Sequence, residues 1–229
     1  MTAYLRPTAS IAADALLPGD PGRALALAQE LLESPKMSNH ARGLWGYWGR
    51  TPRGDELTIQ STGIGGPSSA IVLAELARHG VRRAIRLGTC VAVDAGLGLG
   101  QLLSVTDAVA ADGVSRELGA AASAAPDPEL GAATAVAARE QGGRGGRVVS
   151  TDLAHELDGS PRRDWAAEIA AIDMATAALL VLGRRLGVAV ASLLVVTQVA
   201  EPQGDRIGDE ELAEAALRMG RAGAAALSG

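Results

Sequence analysis

Short apolar runs alternating with amphipathic stretches predict an α/β sandwich with a mixed, largely buried central sheet. Three observations carry that expectation. Residues 188–196 form a continuous apolar run, the pattern of a strand buried on both faces. Stretches with helical spacing recur between the apolar runs, as they do when helices pack on a sheet. Gly- and Pro-rich breaks punctuate the alternation. The 229 residues suffice for one large core, and no shift of composition divides them, so 1–229 is read as a single domain.

In chain order, 15–17 is a brief strand that breaks at Pro18-Gly19-Asp20-Pro21-Gly22-Arg23 and gives way to a helix over 24–32. Such a strand, turn and helix can bring backbone N–H groups and a helix N-terminus to an anion, and it equally suits an ordinary tight connection. Residues 44–49 and 57–61 read as strands joined by a turn at 51–55. Gly63-Ile64-Gly65-Gly66-Pro67 opens a helix to about His79, with proline in its first turn. A short strand is expected at 83–87, further strands at 102–105 and 108–111, and a helix from Pro128 to about Gln141. The run 142–146, four glycines around Arg144, reads as a flexible connection. Strands at 148–150 and 170–172, a helix over 175–186, the strand 188–196 and a helix capped by Asp209 and ending near Leu227 complete the chain. Residues 202–208 read as a mobile lid before that last helix.

Composition narrows the function. The formal net charge is −5, which disfavours nucleic acid or a membrane surface as partner. No apolar segment reaches the roughly 18 residues of a membrane span, and the N-terminus shows no leader pattern, so a cytoplasmic protein is expected. Cys90 is the single cysteine, and three histidines without ligand-like spacing give no support for a metal site; no cofactor is expected. There is no Phe, so the core rests on Ala, Val, Leu and Ile.

The chemistry concentrates at Arg86-Leu87-Gly88-Thr89-Cys90-Val91, which places a guanidinium, a glycine, a hydroxyl and a thiol at the C-terminal end of a buried strand. Ligands of α/β proteins bind at such ends. A planar guanidinium beside a hydroxyl and exposed backbone N–H groups suits an oxyanion such as phosphate, though a structural ion pair would use the same arginine. No base neighbours Cys90 in sequence to activate it, which argues for a residue that lines a site rather than a nucleophile.

Four segments in this order resemble the nucleoside phosphorylase-I family of purine nucleoside and uridine phosphorylases. They are Leu16-Leu17-Pro18-Gly19-Asp20-Pro21-Gly22-Arg23, Gly63-Ile64-Gly65-Gly66-Pro67-Ser68, Arg86-Leu87-Gly88-Thr89-Cys90 and Asp173-Met174. The resemblance spans nearly the whole chain. It implies a three-layer α/β/α subunit, assembled as a hexamer built from dimers, that cleaves an N-glycosidic bond with inorganic phosphate as co-substrate. It implies that Gly19, Arg23, Arg86 and Thr89 bind phosphate, and that Arg42, in Asn39-His40-Ala41-Arg42-Gly43, reaches into the neighbouring subunit's site. Arg86 and Gln198 would be catalytic, while Cys90, Val91, Asp173, Met174, Ala175 and Gln198 would face the nucleoside. Cleavage of such a bond builds positive charge on the sugar and negative charge on the base, so a phosphate beneath the anomeric carbon both stabilises and attacks it.

The departures from the family fall on the nucleoside side. Ala175 stands where the family has a glutamate that grips the sugar hydroxyls, a loss of about 1.5 to 3 kcal/mol per charge-assisted bond. Gln198 stands where purine-specific members have an aspartate that protonates the base; an amide hydrogen-bonds but transfers no proton. Ala154 and His155 replace the aromatic pair that stacks on the base, with Trp165 either a substitute or a core or interface aromatic, and 156–163 shows neither the glutamine nor the arginine that read uracil at the family's spacing. Tyr4 or Arg6 lies near the position of an N-terminal histidine, Glu201 could replace the missing acid, and Val91 narrows the base pocket where glycine is common. An intact phosphate end beside a rewritten nucleoside end suggests an atypical nucleoside. The alternatives are a hydrolytic nucleosidase of the same fold and a non-catalytic ligand-binding relative.

Overall fold

The computed structural model describes residues 4–153, 168–200 and 204–229. The first strand, β1 (Asp14–Pro18), feeds helix α1 (Pro21–Leu31). That helix starts at Pro21 because Asp20 caps it, accepting the N–H of Arg23 at 2.7 Å, and because proline at the first position forfeits no helical bond. Next come β2 (Glu33–Asn39), a 3-10 turn (Ala41–Gly43), β3 (Gly46–Arg50), β4 (Glu56–Gln60), α2 (Gly65–Arg78) and β5 (Arg83–Ala92). The remainder runs β6 (Leu102–Ala110), α3 (Gly113–Glu117), β7 (Ser123–Ala124), α4 (Pro128–Glu140), β8 (Arg144–Ser150), β9 (Ile169–Asp173), α5 (Thr176–Leu186), β10 (Ala189–Val199) and α6 (Asp209–Leu227).

These strands form one mixed sheet in the order β10-β6-β8-β9-β5-β1-β4-β3-β2, with β7 on β6. The expected buried sheet is present, with helices on both faces. Leu27 of α1, Leu130 of α4 and Met219 of α6 pack with Leu16, Ile85 and Leu193 on one side. Leu73 and Leu76 of α2 and Leu179 of α5 pack with Leu17, Ala84 and Leu194 on the other. One feature was not foreseen: β10 also pairs with β5, so β10, β6, β8, β9 and β5 close into a ring. Among the described residues no helix is long and apolar enough to cross a membrane.

Several local expectations need correction. β2 went unseen because most of its residues are exposed and polar, as befits the edge strand it is. The short helix α3 and strand β7 were also not anticipated. The strands expected at 102–105 and 108–111 are one strand, with a register shift between Val105 and Asp107. The glycine run 142–146 is not a flexible connection: Arg144 begins β8, and a Cβ on Gly146 would lie 2.8 Å from both Leu103 and Ala170 side chains. Those glycines admit close strand packing. Gly208, not Asp209, occupies the cap of α6, while Asp209, Glu210 and Glu211 fill its first turn, where negative charge complements the helix dipole.

Candidate active site

The strand expected at 83–87 extends to Ala92, and its extra length makes the site. On one edge β10 accompanies β5 throughout, from Ala189 opposite Arg83 to Val199 opposite Ala92. On the other edge β1 ends with Pro18 opposite Leu87, and β9 joins only at Val91. Between these two partners, Gly88, Thr89 and Cys90 face a gap in the sheet. Such a split, where neighbouring strands diverge, leaves a crevice that ligands occupy in α/β proteins.

A cavity of about 460 Å³ fills the gap. The loop after β1 contributes Gly19, Asp20 and Arg23; β5 contributes Arg86, Gly88, Thr89, Cys90 and Val91; the end of β9 contributes Asp173 and Met174; the end of β10 contributes Thr197 and Gln198. The loops after β1 and β4 are tied together by the N–H groups of Thr62 and Gly63, which donate to the carbonyls of Pro18 (2.9 Å) and Gly19 (3.0 Å). Nine residues singled out in sequence thus share one cavity: Gly19, Arg23, Arg86, Thr89, Cys90, Val91, Asp173, Met174 and Gln198.

Arg86 is the buried centre of the site. Its Nε and Nη2 donate to Asp173 Oδ2 at 3.2 and 3.0 Å, and Nε also reaches the Thr176 hydroxyl at 3.2 Å. The remaining guanidinium hydrogens are left for a ligand. Gly88, two residues on and on the same face of β5, is what lets the side chain lie there. A Cβ at Gly88 would sit 2.6 Å from Arg86 Nη2 and 2.7 Å from Leu194 Cδ2.

Asp173 was expected to face the nucleoside, yet its carboxylate is engaged inward. The side chain is 0% exposed. Oδ1 accepts from the Ser150 hydroxyl at 2.5 Å, and Oδ2 accepts from the Thr176 hydroxyl (2.7 Å) and the N–H groups of Thr176 (3.0 Å) and Ala175 (3.2 Å) as well as from Arg86. It therefore caps α5 from two residues upstream and fixes Arg86 at the same time. Ser150 and Thr176 were not anticipated in this role.

Arg23 stands across the cavity at the first turn of α1. Burial lowers its pKa from the usual arginine value, Asp20 raises it, and the charge of Arg86 lowers it. Two guanidinium groups close enough to oppose each other's charge make a region that favours an anion. Cys90 is pushed upward, first by burial and then by the charge of Asp173, against a downward pull from Arg86. Its thiol donates to the Val195 carbonyl at 3.6 Å, so Cys90 is a protonated wall residue and not a nucleophile.

Beyond Cys90 the cavity becomes apolar, with Val91, Ile172, Met174 and Leu153. Gln198 sits at its rim beside a residue that the sequence had not marked, Arg206. The two form an isolated β-bridge, and Arg206 Nε donates to Gln198 Oε1 across a long 3.4 Å. Because arginine can only donate, that contact engages the amide oxygen of Gln198 rather than its N–H₂. Nothing in the spacing of these residues announced the pairing, which depends on the chain doubling back after β10.

Two expected residues do not line this cavity. Ala175 is 1% exposed at the start of α5, its methyl turned into the core. Arg42 lies exposed in the 3-10 turn, with its guanidinium carbon 5.3 Å from the centroid of the Tyr4 ring. Ala154, His155, Trp165, the stretch 156–163, Glu201 and residues 202–203 of the expected lid lie outside the described residues.

Fold and cavity together define an α/β protein with a crevice, lined by two arginines, at a split in its sheet. Residues 14–228 match the model of the phosphorylase superfamily, and the chain belongs to that family. A DeoD-type purine nucleoside phosphorylase of Alkaliphilus metalliredigens is 31% identical over 206 residues, 87% of this chain and 88% of the relative. A guanosine phosphorylase of Halorubrum lacusprofundi is 33% identical over 209 residues, covering 88% and 86% of the two chains. A DeoD-type enzyme of Oceanobacillus iheyensis reaches 40% over 108 residues, a stretch that spans 47% of this chain and 43% of that protein.

Proposed function

We propose that this chain is a pentosyltransferase that cleaves the N-glycosidic bond of a nucleoside with inorganic phosphate, releasing free base and a (deoxy)ribose 1-phosphate. The observation that carries the reading is the meeting of Arg86 and Arg23 with Thr89 in one cavity, opposite an apolar wall wide enough for a base. The relatives named purine nucleoside and guanosine phosphorylases support it. A phosphate oxygen bonds to the anomeric carbon as the C–N bond breaks, and the bonding pair leaves with the base. Phosphate is held by Arg86, Arg23, the Thr89 hydroxyl and the backbone at Gly19, with Arg42 completing the clamp from an adjacent subunit of a hexamer built from dimers. Asp173 acts through Arg86 and so is a positioning residue. Gln198, whose amide oxygen meets Arg206, keeps an N–H₂ that can donate to the departing base, which suits a base that leaves as a stabilised anion. With no acid at that position, an atypical nucleoside is the substrate we favour, in the cytoplasm.

Release of base from a panel of purine, pyrimidine and 5'-modified nucleosides, with and without phosphate, tests the proposal. Phosphate-dependent release that falls at least about 10²-fold in Arg86→Ala is expected, the size of effect typical of a lost electrostatic stabiliser. Release without phosphate would make the protein a hydrolase, and normal turnover of plain inosine or uridine would overturn the atypical substrate.

A further inference from the structure

The start of the described chain and the Arg42 turn are distant in sequence and joined in space. Glu75, on α2, is 3% exposed, and its carboxylate accepts the N–H of Tyr4 (3.0 and 3.1 Å to its two oxygens) and of Leu5 (2.5 Å). Asn39, fully buried at the end of β2, accepts the N–H of Arg6 at 2.9 Å. The same side chain donates to the carbonyls of Leu44 and, at 3.4 Å, Ala41, which bracket the turn. Gln60 adds a second donor to the Leu44 carbonyl at 3.0 Å. Residues 4–6 and 41–44 are therefore one braced unit, with the Arg42 guanidinium held over the Tyr4 ring.

Arg42 is unusual in its backbone as well. It adopts φ 61° and ψ 18°, a left-handed conformation that costs a residue with a Cβ and persists where the surroundings impose it. A buried carboxylate committed to backbone N–H groups is likewise costly unless a position must be held. Both features serve an exposed side chain that is absent from its own subunit's cavity. A guanidinium held over a ring by cation–π attraction loses less freedom when it binds an oxyanion.

We infer that Glu75 is a positioning residue for Arg42, acting through the Tyr4 segment that it holds. This rests on the reading of Arg42 as an arginine supplied between subunits. Displacing a clamp by about 1 Å can cost 10²-fold, so Glu75→Gln, which removes the charge and one acceptor, is expected to lower kcat/KM about tenfold or more, with a raised KM for phosphate.

Mixed oligomers separate a role between subunits from a merely structural one. Arg42→Ala and Arg86→Ala damage opposite halves of a shared site, so co-expressed they regain part of the activity. Glu75→Gln regains activity with Arg86→Ala and does not with Arg42→Ala, because its defect lies in the donated half. Recovery with Arg42→Ala instead, or an unchanged phosphate KM in Glu75→Gln, overturns the inference. Failure of the Arg42→Ala and Arg86→Ala pair to recover overturns the intersubunit reading itself. Tyr4→Ala, at a side chain 39% exposed and tolerant of change, is expected to follow the same pattern with a smaller loss and covers the case in which Glu75→Gln folds poorly.

Discussion

The two ends of the cavity are built on different principles. At the arginine end the buried charges hold one another: Arg86 is fixed by Asp173, and Asp173 by Ser150 and Thr176. At the far end, Val91, Met174 and Leu153 offer apolar surface, and the Gln198 side chain meets Arg206 Nε across a long 3.4 Å. The first arrangement fixes one geometry at the cost of burying charge, while the second tolerates change of side chain without disturbing the sheet. A family can therefore alter what it recognises at the far end and keep the reagent at the near end in place. The retained arginines and the missing acids of this chain follow that division.

The sharpest way to break the contrast is to remove the charge that holds the near end. Asp173→Asn leaves Arg86 buried with no counter-ion, and breaking a buried pair in this way costs about 3–5 kcal/mol. Activity is expected to fall at least about 10²-fold through loss of the Arg86 geometry. Phosphate should raise the melting temperature of the variant more than that of the wild type, because the bound anion supplies the missing charge. A variant that melts like the wild type and binds phosphate normally would show that Thr176 orients Arg86 without the carboxylate.

A smaller lesion sharpens the same comparison without touching a charge. Gly88→Ala drives a methyl against Arg86 Nη2 and Leu194 Cδ2, at 2.6 and 2.7 Å before relaxation. Overpacking of this kind costs about 1–3 kcal/mol. Because the guanidinium is the movable partner, the expected result is a phosphate KM raised about tenfold or more with base preference unchanged. A change in base preference instead would mean that the two ends are coupled through β5.

How legible each end was in the sequence follows from the same difference. Arg86, Gly88, Thr89, Cys90 and Val91 are contiguous because one strand carries them, so a short motif exposed the near end, and the helix start at Asp20 was equally compact. The ion pair between Arg86 and Asp173 joins residues 87 positions apart. Only the pairing of β9 beside β5 brings them together, and no local pattern encodes that. Arg206 was missed for the same reason. The ring closed by β10 and β5 was hidden because a strand buried on both faces reads the same in an open sheet and a closed one. Ala175 was read as facing the sugar by likeness to a glutamate, whereas a methyl is drawn into the core beneath α5.

The mildest test concerns the boundary between the ends, where Cys90 sits. Burial and the nearby carboxylate of Asp173 raise its pKa in the folded protein, so the native state keeps the proton at a pH where the unfolded thiol, near pH 8.5, has lost it. Above that pH the native state binds more protons than the unfolded one, and stability must fall as pH rises, by up to about 1.4 kcal/mol per pH unit. Below it the contribution is fully present. Cys90→Ala should therefore flatten the alkaline side of a melting-temperature profile taken from pH 7 to 10, and it should keep activity within a few-fold if the thiol is only a wall. In the wild type at pH 8 the thiol should resist alkylation until the protein unfolds, since a protonated, buried sulfur is a poor nucleophile. Rapid alkylation of the native protein with loss of turnover would instead place a reactive thiolate at the junction of the phosphate and base regions, and the division between a charged, fixed end and an inert, apolar end would not hold there.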